Sequence, residues 1–349
     1  MKILLVGGGT LGSINPLLAI AKEVKIRKPD IELVFWGSRN LFERKFVEEA
    51  GFEFFPIASG KFRRYFSFLN FTDAFKIFYA GFWTLKKLKE LKPDLILTAG
   101  SFVAVPVAWS AWKLKLPLLM YQQDVELGLA NKYISKRAKF KIATSDIAAK
   151  VVPGGSKVLG FSVRKILFEG KPENICKKFN FVPSKPVLLV IGGSTGALAL
   201  NKKFIACLPR LSQDIQILHI TGPGKGIPNV KRENYVQVPF INQELPDFYA
   251  AADLVISRAG SNVLAELAAL KKAAIVVPLP KTHQEQNADY LQDHGILTMS
   301  QESLEPEIFA AMIEENIFNL EKLQKLGQNI SNIWQTDGAG KIAEFILKQ

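Results

Sequence analysis

The sequence predicts an α/β fold of two Rossmann-like domains whose parallel sheets face one another across a cleft, and three observations carry that expectation. Two glycine-rich turns of one design, Gly8-Gly9-Thr10-Leu11-Gly12 and Gly192-Gly193-Ser194-Thr195-Gly196, each follow a short apolar run. A turn of this kind after a first parallel strand opens a helix whose free amides and positive end can hold phosphate oxygens. The length of 349 residues exceeds one comfortable core and suits two domains. Finally, short apolar, β-rich runs alternate with helical patterns in two separate series, as buried parallel strands do.

The first series places strands at Lys2 to Val6, Ile31 to Trp36, Glu53 to Ile57, Asp94 to Thr98, Pro117 to Tyr121 and Lys139 to Ala143. The second restarts at Val187 to Ile191 and continues through Ile215 to Ile220, Tyr235 to Val238, Leu254 to Ile256 and Ala274 to Val277. Between them, Pro153-Gly154-Gly155 marks the start of a hinge region. The expected domains are residues 1–162 and 163–337, with a last helix over 338–348 crossing back to brace the first. The uncharged run from Leu95 to Trp112 has the length of a membrane span but contains Gly100, Ser101, Pro106 and Ser110, so a strand, a loop and a helix explain it better.

Composition narrows the class. Hydrophobic residues are 48% and charged residues 22%, which is ordinary for a globular chain and excludes a disordered or low-complexity protein. Cys176 and Cys207 stand far apart without a partner motif, so no disulfide framework or zinc site is expected and a reducing cytoplasm is the plain setting. The start, MKILLVGGG, has too few apolar residues for a secretory signal.

The net charge of +13 is concentrated. From Lys61 to Lys92, eight Lys or Arg face two acids, Asp73 and Glu90, and the window also carries ten aromatic rings. Lys61, Phe62, Arg63, Arg64, Tyr65, Phe66 and Phe68 combine cationic heads with rings, the chemistry of an interface with an anionic membrane. Further along, Phe75, Phe78, Phe82 and Leu85 recur at helical spacing and read as the core face of a helix. No nucleic-acid partner is expected, because no recognised motif accompanies the charge.

In SRAGSNVLAEL, Gly260 and Ser261 follow a strand and open a helix, so free amides at Ser261, Asn262 and Val263 can point at an anion. Glu266 lies one turn on, where a carboxylate can accept from both hydroxyls of a ribose. Taken alone, the same residues favour a plain cap and a solvated helix carboxylate; that reading loses ground once Gly192 to Gly196 and Gln286-Asn287, after the strand ending at Val277, are set beside them. His219 sits in a strand pattern as a core residue, and His283 begins the segment leading to Gln286-Asn287. Lys225 in TGPGKG lacks the spacing of a phosphate loop and reads as part of a glycine turn.

Together, GGGTLGSINP, LTAGSFVAVP, QQDVELGLANK, GFSVR, GGSTGA, VPFI, SRAGSNVLAEL and the Gln286 segment resemble the MurG family, GT-B glycosyltransferases of family 28, over essentially the full length. The resemblance implies transfer of N-acetylglucosamine (GlcNAc) from UDP-GlcNAc to a polyprenyl-linked acceptor, lipid I, by a peripheral protein on the cytoplasmic face of the membrane. It places the diphosphate on Arg164 and Ser194, uracil on the backbone of Ile241, and phosphate and sugar along Ser261, Asn262, Val263, Leu264 and Ala265. Glu266 then takes the ribose and Gln286 the GlcNAc hydroxyls, while Thr10, Leu11, Gly12 and Asp124 complete the site from the first domain. The acceptor pyrophosphate falls on the loop of Gly8, Gly9, Thr10, Gly12 and Ser13.

The implied chemistry is an inverting displacement in which the C4 hydroxyl of N-acetylmuramic acid (MurNAc) attacks the anomeric carbon and UDP leaves. No Asp-x-Asp triplet occurs, so no metal or other cofactor is expected. The chain departs from the family pattern where a base is expected: Ser13 replaces a histidine, and Tyr121-Gln122-Gln123-Asp124 replaces His-Glu-Gln-Asn. Asp124 is the candidate base, with a helix cap before Val125 as its structural alternative. Two other functions stay open: a catalytically impaired relative that binds lipid and nucleotide sugar, and an NADP-dependent oxidoreductase read from Gly7-x-Gly9-x-x-Gly12 and Arg39.

Overall fold

The computed structural model describes residues 1–57 and 69–349, and of 69–78 the backbone alone. The membrane-interface segment from Lys61 to Phe68 and the side chains of Phe75 and Phe78 therefore lie outside the described residues. The chain forms two compact units, one of residues 1–164 with 335–349 and one of residues 165–334.

The first unit runs β1 (Lys2–Val6), α1 (Asn15–Arg27), β2 (Glu32–Gly37), α2 (Leu41–Glu49), β3 (Glu53–Pro56), α3 (Leu69–Leu91), β4 (Leu95–Thr98) and α4 (Ala104–Lys113). It continues with β5 (Leu118–Gln122), α5 (Leu129–Ser135), β6 (Phe140–Ala143), α6 (Asp146–Lys150) and β7 (Lys157–Val158). All seven strands are parallel in the order β3-β2-β1-β4-β5-β6-β7, with Leu5 of β1 opposite Phe35 on one side and Leu97 on the other. Parallel strands need helices on both faces. Accordingly Leu4, Val6, Ile96 and Met120 are shut in on one face by Val103, Val107, Ala111 and Leu88.

The second unit runs α7 (Pro172–Phe179), β8 (Val187–Ile191), α8 (Leu198–Cys207), β9 (Gln216–Ile220), β10 (Tyr235–Val238), α9 (Leu245–Ala251), β11 (Leu254–Ser257) and α10 (Ser261–Ala269). Then come β12 (Ala273–Val276), α11 (Gln284–Gln292), β13 (Leu297–Thr298), α12 (Pro306–Ile317) and α13 (Leu320–Ile333). Its six strands are parallel in the order β10-β9-β8-β11-β12-β13. β7 and β13 escape a reading by pattern because each is two residues long and exists only through pairing with β6 and β12.

The last helix, α14 (Gly338–Leu347), belongs to the first unit and packs along α1. Ile342 and Ile346 are buried there, and Phe345 meets Phe140 edge-on at 5.7 Å. The returning chain is pinned by Phe161 N–H to Gln335 O at 2.7 Å and Gly338 N–H to Phe161 O at 2.9 Å.

Two local expectations are corrected. α5 begins at Leu129 with Gly128 as its N-cap, so Asp124 does not cap a helix starting at Val125. Phe82 is 52% exposed and does not face the core. The face of α3 that meets α4 is set by small and hydroxylated residues: Gly81 lies against Trp109, and Thr84 Oγ1 sits 2.7 Å from Ser110 Oγ. Close helix approach through that seam turns the larger ring outward, against the edge of Trp109 at 5.9 Å.

Candidate functional site

In the second unit the sheet order reverses between β8 and β11, and the loops after both strands line that crevice, the usual ligand position in an open parallel sheet. After β8, Gly193 and Gly196 have φ of +86° and +70°, which brings residues 192–197 round in a tight loop before α8. A Cβ on Gly196 would lie 2.2 Å from Thr221 O, so the loop is pressed against the end of β9 and accepts no side chain there. Lys225 Nζ donates to Gly196 O at 3.0 Å. The glycine turn that holds Lys225 therefore delivers a cation to the loop carrying Ser194, which its spacing alone did not reveal.

After β11, Gly260 is the N-cap of α10 with no side-chain cap, and Ser261, Asn262 and Val263 form the first turn, which carries no acid. Amides at such a helix start, with its positive end, can receive an anion. Arg258, 5% exposed, fastens the adjoining loop by donating to Val277 O and Pro278 O at 3.2 and 2.8 Å and to Gln301 Oε1 at 2.6 Å. Asn287, buried on α11, ties the same region down through Ala259 O at 2.9 Å, while Gln286 beside it is exposed. Leu264 and Ala265 are buried in the helix, and Ile241 lies in the loop between β10 and α9, at the same edge of the sheet.

Glu266 is 6% exposed and is not an ordinary solvated helix residue. Its Oε2 accepts from the hydroxyl of Tyr249 at 2.9 Å, and Tyr249 is fully buried. His219 is the satisfied core residue its strand pattern suggests, with Tyr235 Oη at 2.9 Å and Asn201 Oδ1 at 3.1 Å. His283 stands at the N-cap of α11, half-buried.

In the first unit the order reverses between β1 and β4, and three loops meet at that edge. Gly9, with φ of +88°, packs on Phe102, where a Cβ would come within 2.5 Å of the ring. Thr10 is exposed and its Oγ1 accepts from Gly12 N–H at 3.2 Å; Leu11 is buried. Ser13, where a base was expected in relatives, is buried and staples its own loop, accepting from Gly8 N–H at 2.8 Å. Glu43 supports the loop from below: it accepts from Ser38 Oγ at 2.7 Å and from Gly9 N–H, and burial pushes its carboxyl above the ordinary value.

The β5 loop is held by its amides. Gln122, buried, donates to Asp124 O at 2.7 Å and to Glu126 O at 3.0 Å, and accepts from Asn131 Nδ2 at 2.7 Å. A carboxylate at this position could not donate, so the amide is what folds the loop around Asp124. Tyr121 is buried and bonds Gly160 O at 2.9 Å and Ser162 N–H at 3.1 Å, which makes it a structural tie. Asp124 itself is half-buried. Among the described residues the buried oxygens Asn15 Oδ1, Ser101 Oγ, Gln123 Oε1 and Asn131 Oδ1 have no hydrogen-bond partner, and Ser101 is strained at φ of +92°. Arg164 closes this unit, its guanidinium 5.8 Å from the Phe46 ring centre.

Elsewhere in the first unit, Tyr79 and Phe82 are exposed on α3 and Trp112 on α4. Trp112, Lys113, Lys115, Arg137 and Lys139 line a pocket of about 480 Å³. Arg137 stacks on Tyr133 at 3.6 Å. Among the described residues no helix is long and apolar enough to cross a membrane.

The model of the glycosyltransferase family 28 N-terminal domain matches residues 3–143, and that of the C-terminal domain matches residues 187–343. The UDP-N-acetylglucosamine--N-acetylmuramyl-(pentapeptide) pyrophosphoryl-undecaprenol N-acetylglucosamine transferase of Clostridium botulinum (strain Loch Maree / Type A3) is 37% identical over 354 residues, covering 99% of each chain. A protein of the same name from Lachnospira eligens is 33% identical over 338 residues, covering 93% of this chain and 95% of its own. Among solved structures, MurG of Acinetobacter baumannii has a TM-score of 0.73 at 24% identity, covering 100% of this chain and 99% of its own. A UDP-GlcNAc 2-epimerase from Neisseria meningitidis bound to UDP-GlcNAc has a TM-score of 0.69 at 14% identity, covering 100% of both. These two likenesses are likenesses of fold.

Proposed function

The chain belongs to glycosyltransferase family 28, and from that membership together with the site in its second unit we propose that it transfers GlcNAc from UDP-GlcNAc to the C4 hydroxyl of MurNAc in lipid I, giving lipid II. The observation that carries the reading is the pairing of an acid-free helix N-terminus with a carboxylate one turn on: Ser261 to Val263 for the diphosphate, Glu266 for the ribose. Ser194 and Arg164 add to the diphosphate, the backbone of Ile241 meets uracil, Leu264 and Ala265 continue the sugar-facing turn, and Gln286 takes the GlcNAc hydroxyls. With the family established, the oxidoreductase reading of the first glycine turn lapses.

In the reaction, the C4 oxygen of the acceptor forms a bond to the anomeric carbon while the bond from that carbon to the diphosphate oxygen breaks and UDP departs with the electron pair. Amides at the α8 and α10 N-termini stabilise the charge that develops on the leaving group. The attacking hydroxyl gives up its proton to Asp124. Thr10 and Gly12 sit beside it, and the loop of Gly8, Gly9 and Ser13 receives the acceptor pyrophosphate.

The protein works as a peripheral protein on the anionic, cytoplasmic face of the membrane. The exposed ring of Trp112 among Lys113, Arg137 and Lys139 supports that placement, since rings enter the headgroup zone while cations meet anionic lipid. The deciding experiment incubates the protein with UDP-GlcNAc and a lipid I analogue and measures UDP release and disaccharide together. Both are expected in equal amounts. UDP-GlcNAc binding without disaccharide would leave a protein that binds the substrates but does not join them.

A further inference from the structure

We propose that Tyr249 is a positioning residue for nucleotide recognition: its buried hydroxyl orients the Glu266 carboxylate toward the ribose, an inference that rests on the ribose role given to Glu266 above. The hydroxyl donates to Glu266 Oε2 at 2.9 Å, and Tyr249 has no exposed surface, so it cannot touch the nucleotide and reaches it through the carboxylate. Glu266, at 6% exposure, reaches solvent by a narrow edge. The last torsion of a glutamate is broad, and a fixed donor on one oxygen narrows it and so sets the direction in which the other oxygen points.

The donor is itself held firmly. α9, which carries Tyr249, is fastened at both ends and along one side. At its start Asp247 accepts from Lys171 N–H at 2.7 Å and from Asn174 Nδ2 at 2.8 Å. At its end the Lys272 ammonium donates to Ala250 O at 3.2 Å and Ala252 O at 2.8 Å. Phe248 packs edge-on against Phe179 at 6.0 Å, and Gly170 approaches Pro246 so closely that a Cβ would fall 2.0 Å from its carbonyl oxygen. The helix therefore cannot drift, and the hydroxyl presents a fixed point to α10. A carboxylate pre-oriented in this way loses less freedom when the nucleotide binds.

The test uses UDP and 2′,3′-dideoxy-UDP, which lacks both hydroxyls, with the full-length protein and its Tyr249→Phe, Glu266→Ala and double variants. Affinities come from calorimetry, and the nucleotide-induced rise in thermal midpoint is read for each variant against its own nucleotide-free value, so that a loss of stability does not enter. Tyr249→Phe is expected to weaken UDP roughly 3- to 10-fold and leave dideoxy-UDP unchanged, narrowing the ribose preference by the same factor. In the Glu266→Ala background the same change is expected to do nothing more. Equal weakening of both nucleotides, or no weakening of UDP, would overturn the positioning role and leave Tyr249 as packing. Unchanged UDP affinity in Glu266→Ala alone would instead remove the ribose reading on which the inference stands.

Discussion

Asp124 illustrates what a single residue can and cannot disclose. Its type, a carboxylate where the family pattern implied by the resemblance has an amide, was readable, but the loop that presents it is folded by Gln122, whose two donated bonds at 2.7 and 3.0 Å exist only in three dimensions. If Asp124 accepts the acceptor's proton, Asp124→Asn should lower kcat roughly 10²- to 10⁴-fold and leave UDP-GlcNAc affinity within about twofold. Steady-state kinetics beside calorimetry checks this, and a fully active variant removes the assignment. His219 has the opposite character. Burial pulls its imidazole down to about 3, so between there and its ordinary value the unfolded chain binds a proton that the folded chain refuses. Stability of the second unit should therefore fall as pH drops from about 6.5 toward 3, with a limiting slope of ~1.4 kcal/mol per pH unit from this residue. Urea unfolding of the protein and of His219→Gln across that range should show a shallower acid loss in the variant; parallel curves would place the acid sensitivity elsewhere.

At the scale of elements, the glycine turns were legible because φ beyond +60° and the absence of a side chain leave a compositional mark. Gly196 is the sharper case, with φ of +70° and Thr221 O at 2.2 Å from the position of a Cβ. Gly196→Ala should destabilise the second unit by about 1–2 kcal/mol from the left-handed backbone alone, with the clash in addition, and should weaken UDP by displacing the loop. Melting and calorimetry on one sample test both, and a variant with unaltered midpoint and affinity would contradict the geometry. The α3 and α4 pair taught a different lesson. Its apolar spacing suggested that Phe82 faces inward, yet Gly81, Thr84 and Ser110 form the seam, Trp83 packs inward on Trp36, and Phe82 turns outward. Periodicity reports that a helix has a stripe; the neighbour's shape decides which stripe is buried. With Lys113, Arg137 and Lys139 reversed to Glu, retention on vesicles rich in anionic lipid should drop sharply while the weak retention on neutral vesicles changes little. Equal retention before and after reversal would detach this patch from membrane binding.

For the molecule as a whole, chain order and structural membership part company, because α14 ends the sequence and yet completes the first unit. Ile342 and Ile346 bury their side chains there, each contributing roughly 1.5–3 kcal/mol. Removal of residues 335–349 should lower the thermal midpoint of the first unit, whereas UDP binding by residues 165–334 persists; loss of both together would show that the two units do not hold their structure separately. The sequence by itself determined the α/β class, the two series of parallel strands, the two glycine turns and the acid-free start of α10 after its strand, since each depends on local backbone sterics, short-range periodicity or the residues of one helix end. The tertiary structure alone decided the buried tie from Tyr249 to Glu266, the two-donor role of Gln122, Glu43 under the first glycine turn, Arg258 and Lys225 beside the second site, and the outward rings of α3. Those join residues distant in the chain or turn on which of several faces a neighbour covers, and no local pattern records a contact whose partner is supplied by another element.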